Sequence, residues 1–108
     1  MADKAWKAFE RTIAAIFGGT RRGADTRGPD AGKTDVIHPH FAIECKLLGR
    51  PGYADMLAAA KQAETNAEPH QEPVAVVKRK NARNDDALVV MRLETFRQWR
   101  ISEGPDAA

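Results

Sequence analysis

The chain has 108 residues, enough for one modest core, because a domain of this size buries about two-thirds of the surface its unfolded chain exposes. Its 17 Lys and Arg against 15 Asp and Glu leave a net charge of +2, so a basic partner surface has to come from local clustering and not from bulk charge. The single cysteine, Cys45, excludes an internal disulfide framework and a multi-cysteine zinc site; with neither a signal-like start nor a membrane-length apolar run, the expectation is a cytoplasmic protein with no membrane partner.

From Asp3 to Phe17 the apolar residues Trp6, Phe9, Ile13, Ile16 and Phe17 recur at helical spacing, while Lys4, Lys7 and Arg11 take the other side. Glu10 falls roughly 70° from the centre of the apolar face, at its edge. It is either an ordinary solvated glutamate or one that looks along the surface the helix packs on. Gly18 to Lys33 (GGTRRGADTRGPDAGK) has five glycines and no apolar period, and it reads as a loop. There Arg21, Arg22, Arg27 and Lys33 outnumber Asp25 and Asp30, which suits phosphate contact as well as it suits a solvated linker.

Thr34 to Leu48 reads as a hairpin, TDVIH and FAIECKLL, turning at Pro39 and His40, with His38 and His40 as turn residues. In the second strand Phe41, Ile43, Cys45 and Leu47 share one face and Ala42, Glu44, Lys46 and Leu48 the other. With His38 opposite Phe41, Val36 faces Ile43 and Asp35 faces Glu44. Two opposed carboxylates repel, so they call for a positive group between them. Oxygen ligands without a paired His or Cys suit Mg²⁺ and not structural zinc.

Pro51 and Gly52 break the chain before a second helix over Tyr53 to Ala67, whose Met56, Leu57, Ala60 and Ala63 stripe is expected to face the sheet, leaving Gln62 turned away. Two further strands follow at Val74 to Val77 and Ala87 to Leu93, making four. Between them lies KRKNARNDD, where Lys78, Arg79, Lys80 and Arg83 form the strongest local positive cluster, either a nucleic-acid contact or a guard on a sheet edge. Glu94 to Arg100 reads as a short helix carrying Phe96 and Trp99, with a frayed tail from about residue 102. The fold class expected is α/β, a mixed central sheet flanked by helices, in one domain.

A helix with Glu10, an Arg/Gly loop, Asp35, and then, after eight intervening residues, Glu44-Cys45-Lys46 resembles the PD-(D/E)xK nuclease superfamily, and within it the Holliday junction resolvases and small phage-type endonucleases. The resemblance runs from about Trp6 to Trp99 and is sharpest at IECK. It implies a restriction-endonuclease-like sheet and a catalytic set of Glu10, Asp35, Glu44 and Lys46. Asp35 and Glu44 would be metal carboxylates, the Cys45 main-chain carbonyl a further ligand, and Glu10 an auxiliary one reaching through water. Lys46 would orient or activate the attacking water, with Mg²⁺, or Mn²⁺ in its place, as cofactor. Gln62 matches a helix glutamine of some relatives. Where the motif has Pro-Asp this chain has Thr34-Asp35, while a literal Pro29-Asp30 stands upstream; Asp30 is the rival ligand, and Asp35 is favoured because it opens a β-branched strand with the right face.

The function this implies is Mg²⁺-dependent hydrolysis of DNA phosphodiesters, on branched DNA, in a bacterial or phage-infected cell. A nicking or nonspecific phage-type endonuclease would share the site, and a non-catalytic DNA-binding module would share only the fold and the basic loops. Paired cuts at a four-way junction need two sites, so a symmetric homodimer is expected, with Leu47, Leu48 and the Phe96/Trp99 helix as interface candidates.

Overall fold

The computed structural model describes residues 4–22 and 34–101. Its architecture is α/β. Five strands form one mixed sheet in sequential order: β1 (Thr20–Arg21), β2 (Val36–Ile37), β3 (Phe41–Leu48), β4 (Glu72–Arg79) and β5 (Leu88–Val90). Only β3 and β4 run parallel. A parallel pair cannot be closed by a tight turn, and the crossover is α2 (Tyr53–Asn66).

Alternation in the strands decides which helix covers which face. Val36, Ile43, Cys45, Val74 and Val76 point to one side and pack with Phe9, Ile13 and Ala14 of α1 (Ala5–Phe17). Ala75 and Val77 point to the other and meet Ala59 of α2, with Met56, Leu48 and Val90 at the margin. β3 is therefore covered on both faces at its centre, and the Cys45 side chain lies in the core.

Local chemistry fixes the ends of these elements. Gly18 ends α1 in the left-handed region (φ 75°), its N–H donating to the carbonyls of Ala14 and Ala15. A Cβ at Gly19 would lie 2.5 Å from the Ile37 carbonyl oxygen, so only glycine lets the chain pass this close to β2. At the start of α2 the Asp55 carboxylate accepts the Gly52 N–H (2.9 Å). The chain then closes with α3 (Leu93–Phe96) and a π-helical turn over Arg97–Ile101. Arg92 grips Glu64 of α2 through Nε and Nη2 at 2.8–3.0 Å, the Thr95 hydroxyl donates to the same carboxylate, and the Trp99 ring meets Phe41 edge-on at 6.0 Å.

The elements depart from the sequence reading in four places. Thr20–Arg21, read as loop, pairs with β2 and raises the strand count from four to five. The first hairpin strand is two residues long rather than five, because the chain bends at Asp35. β4 runs from Glu72 to Arg79, since its length is set by eight-residue pairing with β3 and not by its four apolar residues. β5 stops at Val90, and Leu93 opens a helix. Among the described residues no helix is long and apolar enough to cross a membrane.

Candidate active site

The hairpin register places Val36 opposite Ile43, as the alternation predicts, and its continuation sets Asp35 across from Glu44. At Asp35 the ladder gives way to a side chain. Its carboxylate, and not a main-chain carbonyl, accepts the Cys45 N–H (2.8 Å), while its own N–H donates to the Ile43 carbonyl (3.1 Å). In an extended strand the N–H and C=O of one residue point to the same side, so the Cys45 carbonyl also faces the β2 edge, beside the Asp35 carboxylate.

Glu44 is 1 % exposed. Its Oε1 accepts a hydrogen bond from Asn66 Nδ2 at the end of α2 (2.9 Å). Burial pushes its carboxyl up to about 7; the Asn66 bond opposes this, the Asp35 charge and a hydrogen bond with the Asp35 carboxyl add to it, and Lys46 offsets part of it. Glu10, 8 % exposed, is held by Arg21 Nε at 2.8 Å. Its carboxyl is raised first by burial and then by Asp35, against the pull of Arg21 and Lys46. The four residues expected to act together, Glu10, Asp35, Glu44 and Lys46, thus lie within one electrostatic field.

No protein-family model, curated protein or solved structure matches the chain. The donors of the site itself define what it can do. Among the described residues no three His, Cys, Asp or Glu side chains gather into a closed metal cage. A hard divalent cation does not need one, because Mg²⁺ keeps several waters and takes one or two carboxylates together with substrate oxygens. Two carboxylates in mutual contact, with the Cys45 carbonyl near by, fit such an ion. Histidine or thiolate chemistry does not fit, since burial and the neighbouring carboxylates drive the Cys45 thiol far above its usual range and leave it inert.

The remaining expected contacts divide. Arg21 is engaged with Glu10 and lies over the Trp6 ring, and Arg22 donates from Nε to the Thr34 carbonyl (2.6 Å), so both arginines brace the site. Lys78 donates to Asn84 (2.8 Å) and sits over Phe9, while Arg79, Lys80 and Arg83 are exposed, Arg83 in a loose pair with Asp85 (3.4 Å). Arg27, Lys33 and the rival ligand Asp30 lie outside the described residues.

Gln62 is exposed, and the helix amide that reaches Glu44 is that of Asn66, which the sequence reading did not single out. The signal was present. Ala59, Ala63 and Asn66 follow one another at i, i+4 and i+7, and the two alanines are fully buried against the sheet. His38 is a turn residue as expected, its Nδ1 accepting the N–H groups of His40 and Phe41.

Proposed function

We propose that this chain is a divalent-cation-dependent DNA endonuclease acting on branched DNA as a homodimer in the cytoplasm of a bacterial or phage-infected cell. The observation that carries the reading is the Asp35–Glu44 carboxyl pair, the fully buried Glu44 and the half-buried Asp35 in mutual contact with Lys46 in their field. Such a pair costs stability unless a cation or a proton relieves it, and a binding module for polyphosphate has no use for two carboxylates at its surface of contact.

Asp35, Glu44 and the Cys45 carbonyl would hold the ion, with Glu10 contributing through water. Bound Mg²⁺, or Mn²⁺ in its place, would acidify the attacking water and offset charge building on the phosphate. The Lys46 ammonium, whose charge offsets part of the upward shift of Glu44 and Glu10, would orient that water or neutralise a phosphate oxygen. Asn66 and the Cys45 N–H each hold one oxygen of the two carboxylates, which would leave the other oxygen of each for the ion. Arg21 favours the ionised form of Glu10 and keeps it aimed at the cluster.

Cleavage of a four-way junction, a flap, linear duplex and single strand with and without Mg²⁺ tests the reading. Metal-dependent cuts in the junction, abolished by Glu44→Ala and by Lys46→Ala with DNA binding retained, are the expected result. Binding without cleavage would leave a non-catalytic module, and a monomer that nicks one strand in sedimentation-matched assays would favour the phage-type nicking enzyme.

A further inference from the structure

We infer that Trp6 is a stacking platform for an unpaired nucleobase next to the cleaved phosphate. The inference rests on the nuclease reading for its location. Trp6 precedes Glu10 by four residues, one turn of α1, so both side chains lie on the same flank of the helix. Its indole is 44 % exposed, although Phe9 and Ile13 on the helix's apolar face are fully buried. The ring takes no part in the core clusters.

Its surroundings are cationic. The Arg21 guanidinium carbon is 5.6 Å from the ring centroid and the Lys7 ammonium 5.5 Å. The same guanidinium binds Glu10, so one group joins the exposed ring to the carboxylate cluster. An aromatic surface flanked by two positive charges is complementary to a base attached to a phosphodiester, since the ring accepts the π-face and the cations the strand. A neutral apolar partner would leave the Lys7 ammonium without a counter-charge, and an anionic one would find no use for the ring.

Lys7 is the side chain that can yield its place, because it makes no ion pair among the described residues and its stem is flexible. A paired base keeps its faces stacked on its neighbours, so only an unpaired or splayed nucleotide can reach Trp6. The ring then selects junctions, flaps and single strands over continuous duplex.

The test uses the full chain with Trp99→Phe, so that indole emission reports Trp6 alone of the two tryptophans. Titrations in EDTA, where no cleavage occurs, compare a single-stranded oligothymidine, a four-way junction and a paired duplex. The expected result is quenching of Trp6 by the first two and not by duplex. Trp6→Ala is expected to weaken single-strand binding about tenfold, with Trp6→Phe recovering most of it and duplex binding changing less than about twofold. Equal quenching by duplex, or unchanged single-strand affinity in Trp6→Ala, would overturn the inference. Because the readout is metal-free binding, loss of the stacking result and loss of the nuclease reading are separate outcomes: cleavage without quenching removes only the former, quenching without Mg²⁺-dependent cleavage only the latter.

Discussion

The carboxylate of Asp35 occupies the place of a main-chain acceptor for Cys45, 2.8 Å from its N–H. One residue thereby completes the hairpin and supplies half of the carboxyl pair, and the two roles separate by substitution. Asp35→Asn keeps an oxygen for the Cys45 N–H and is expected to fold with near-native stability while losing cleavage. Asp35→Ala leaves a buried N–H unpaired and is expected to lose cleavage and about 1 to 3 kcal/mol of stability besides. Urea unfolding with parallel cleavage assays separates them; equal stability of the two variants would show that the bond contributes nothing.

The raised carboxyl of Glu44 fixes a sign for the pH dependence. A group that titrates near 7 when folded and near 4.5 when unfolded binds its proton more tightly in the folded chain. The stability this supplies is complete below the ordinary carboxylate range and is lost as pH rises through about 7. Metal-free protein is therefore expected to lose on the order of 2 kcal/mol between about pH 5 and pH 8.5. The raised Glu10 acts in the same direction. Glu64, lowered first by its bond with Arg92, acts oppositely and at lower pH, contributing above the ordinary carboxylate range and losing that contribution as pH falls through its lowered value. Calorimetry on Glu44→Gln is expected to show a flatter profile between about pH 5 and pH 7.5; an unaltered slope would move the titration elsewhere.

Mg²⁺ and the shared proton compete for one pair of carboxyls. Added Mg²⁺ is expected to raise Tm more at about pH 8 than at about pH 6, and the difference is expected to vanish in Glu44→Gln. A shift of equal size at both pH values would place any bound cation away from the pair.

Neutralising Lys78, Arg79, Lys80 and Arg83 together is expected to weaken DNA binding on every sequence and to flatten the salt dependence, by a slope of about 0.9 for each phosphate that the loop no longer neutralises. Fluorescence anisotropy between about 50 and 200 mM salt measures it. An unchanged slope would assign this loop to protecting the sheet.

Gly19→Ala would drive a Cβ into the Ile37 carbonyl, a backbone atom that cannot swing aside. It is expected to cost about 1 to 3 kcal/mol and to lift β1 from β2, and with it Arg21 from Glu10. A crystal structure of the variant with the Arg21–Glu10 pair intact would contradict this.

The hairpin and both long helices could be read from the sequence because period-2 and period-3.6 patterns state which face is buried, and the Asp35–Glu44 opposition followed from the turn and that pattern alone. β1 was hidden because Thr20 and Arg21 carry no apolar signal; what holds them is main-chain pairing and the glycine that permits it. Arg21 looked like a solvent-facing cation for the same reason, and its grip on Glu10 depends on a strand two residues long. Asn66 is hard to find from the larger residues of its helix, Met56 and Leu57, because the small Ala59 and Ala63 are the ones that bring α2 closest to the sheet.

Arg22 and Thr34 bracket residues 23–33. The Arg22 N–H reaches the Asp35 carbonyl (2.9 Å) and its guanidinium the Thr34 carbonyl (2.6 Å), so the described residues on either side of that span are clasped together. Arg22 thus fastens the strand that carries Arg21 to Glu10 onto the residues that lead into Asp35, and loosening this one side chain would free the arginine and the carboxylate together.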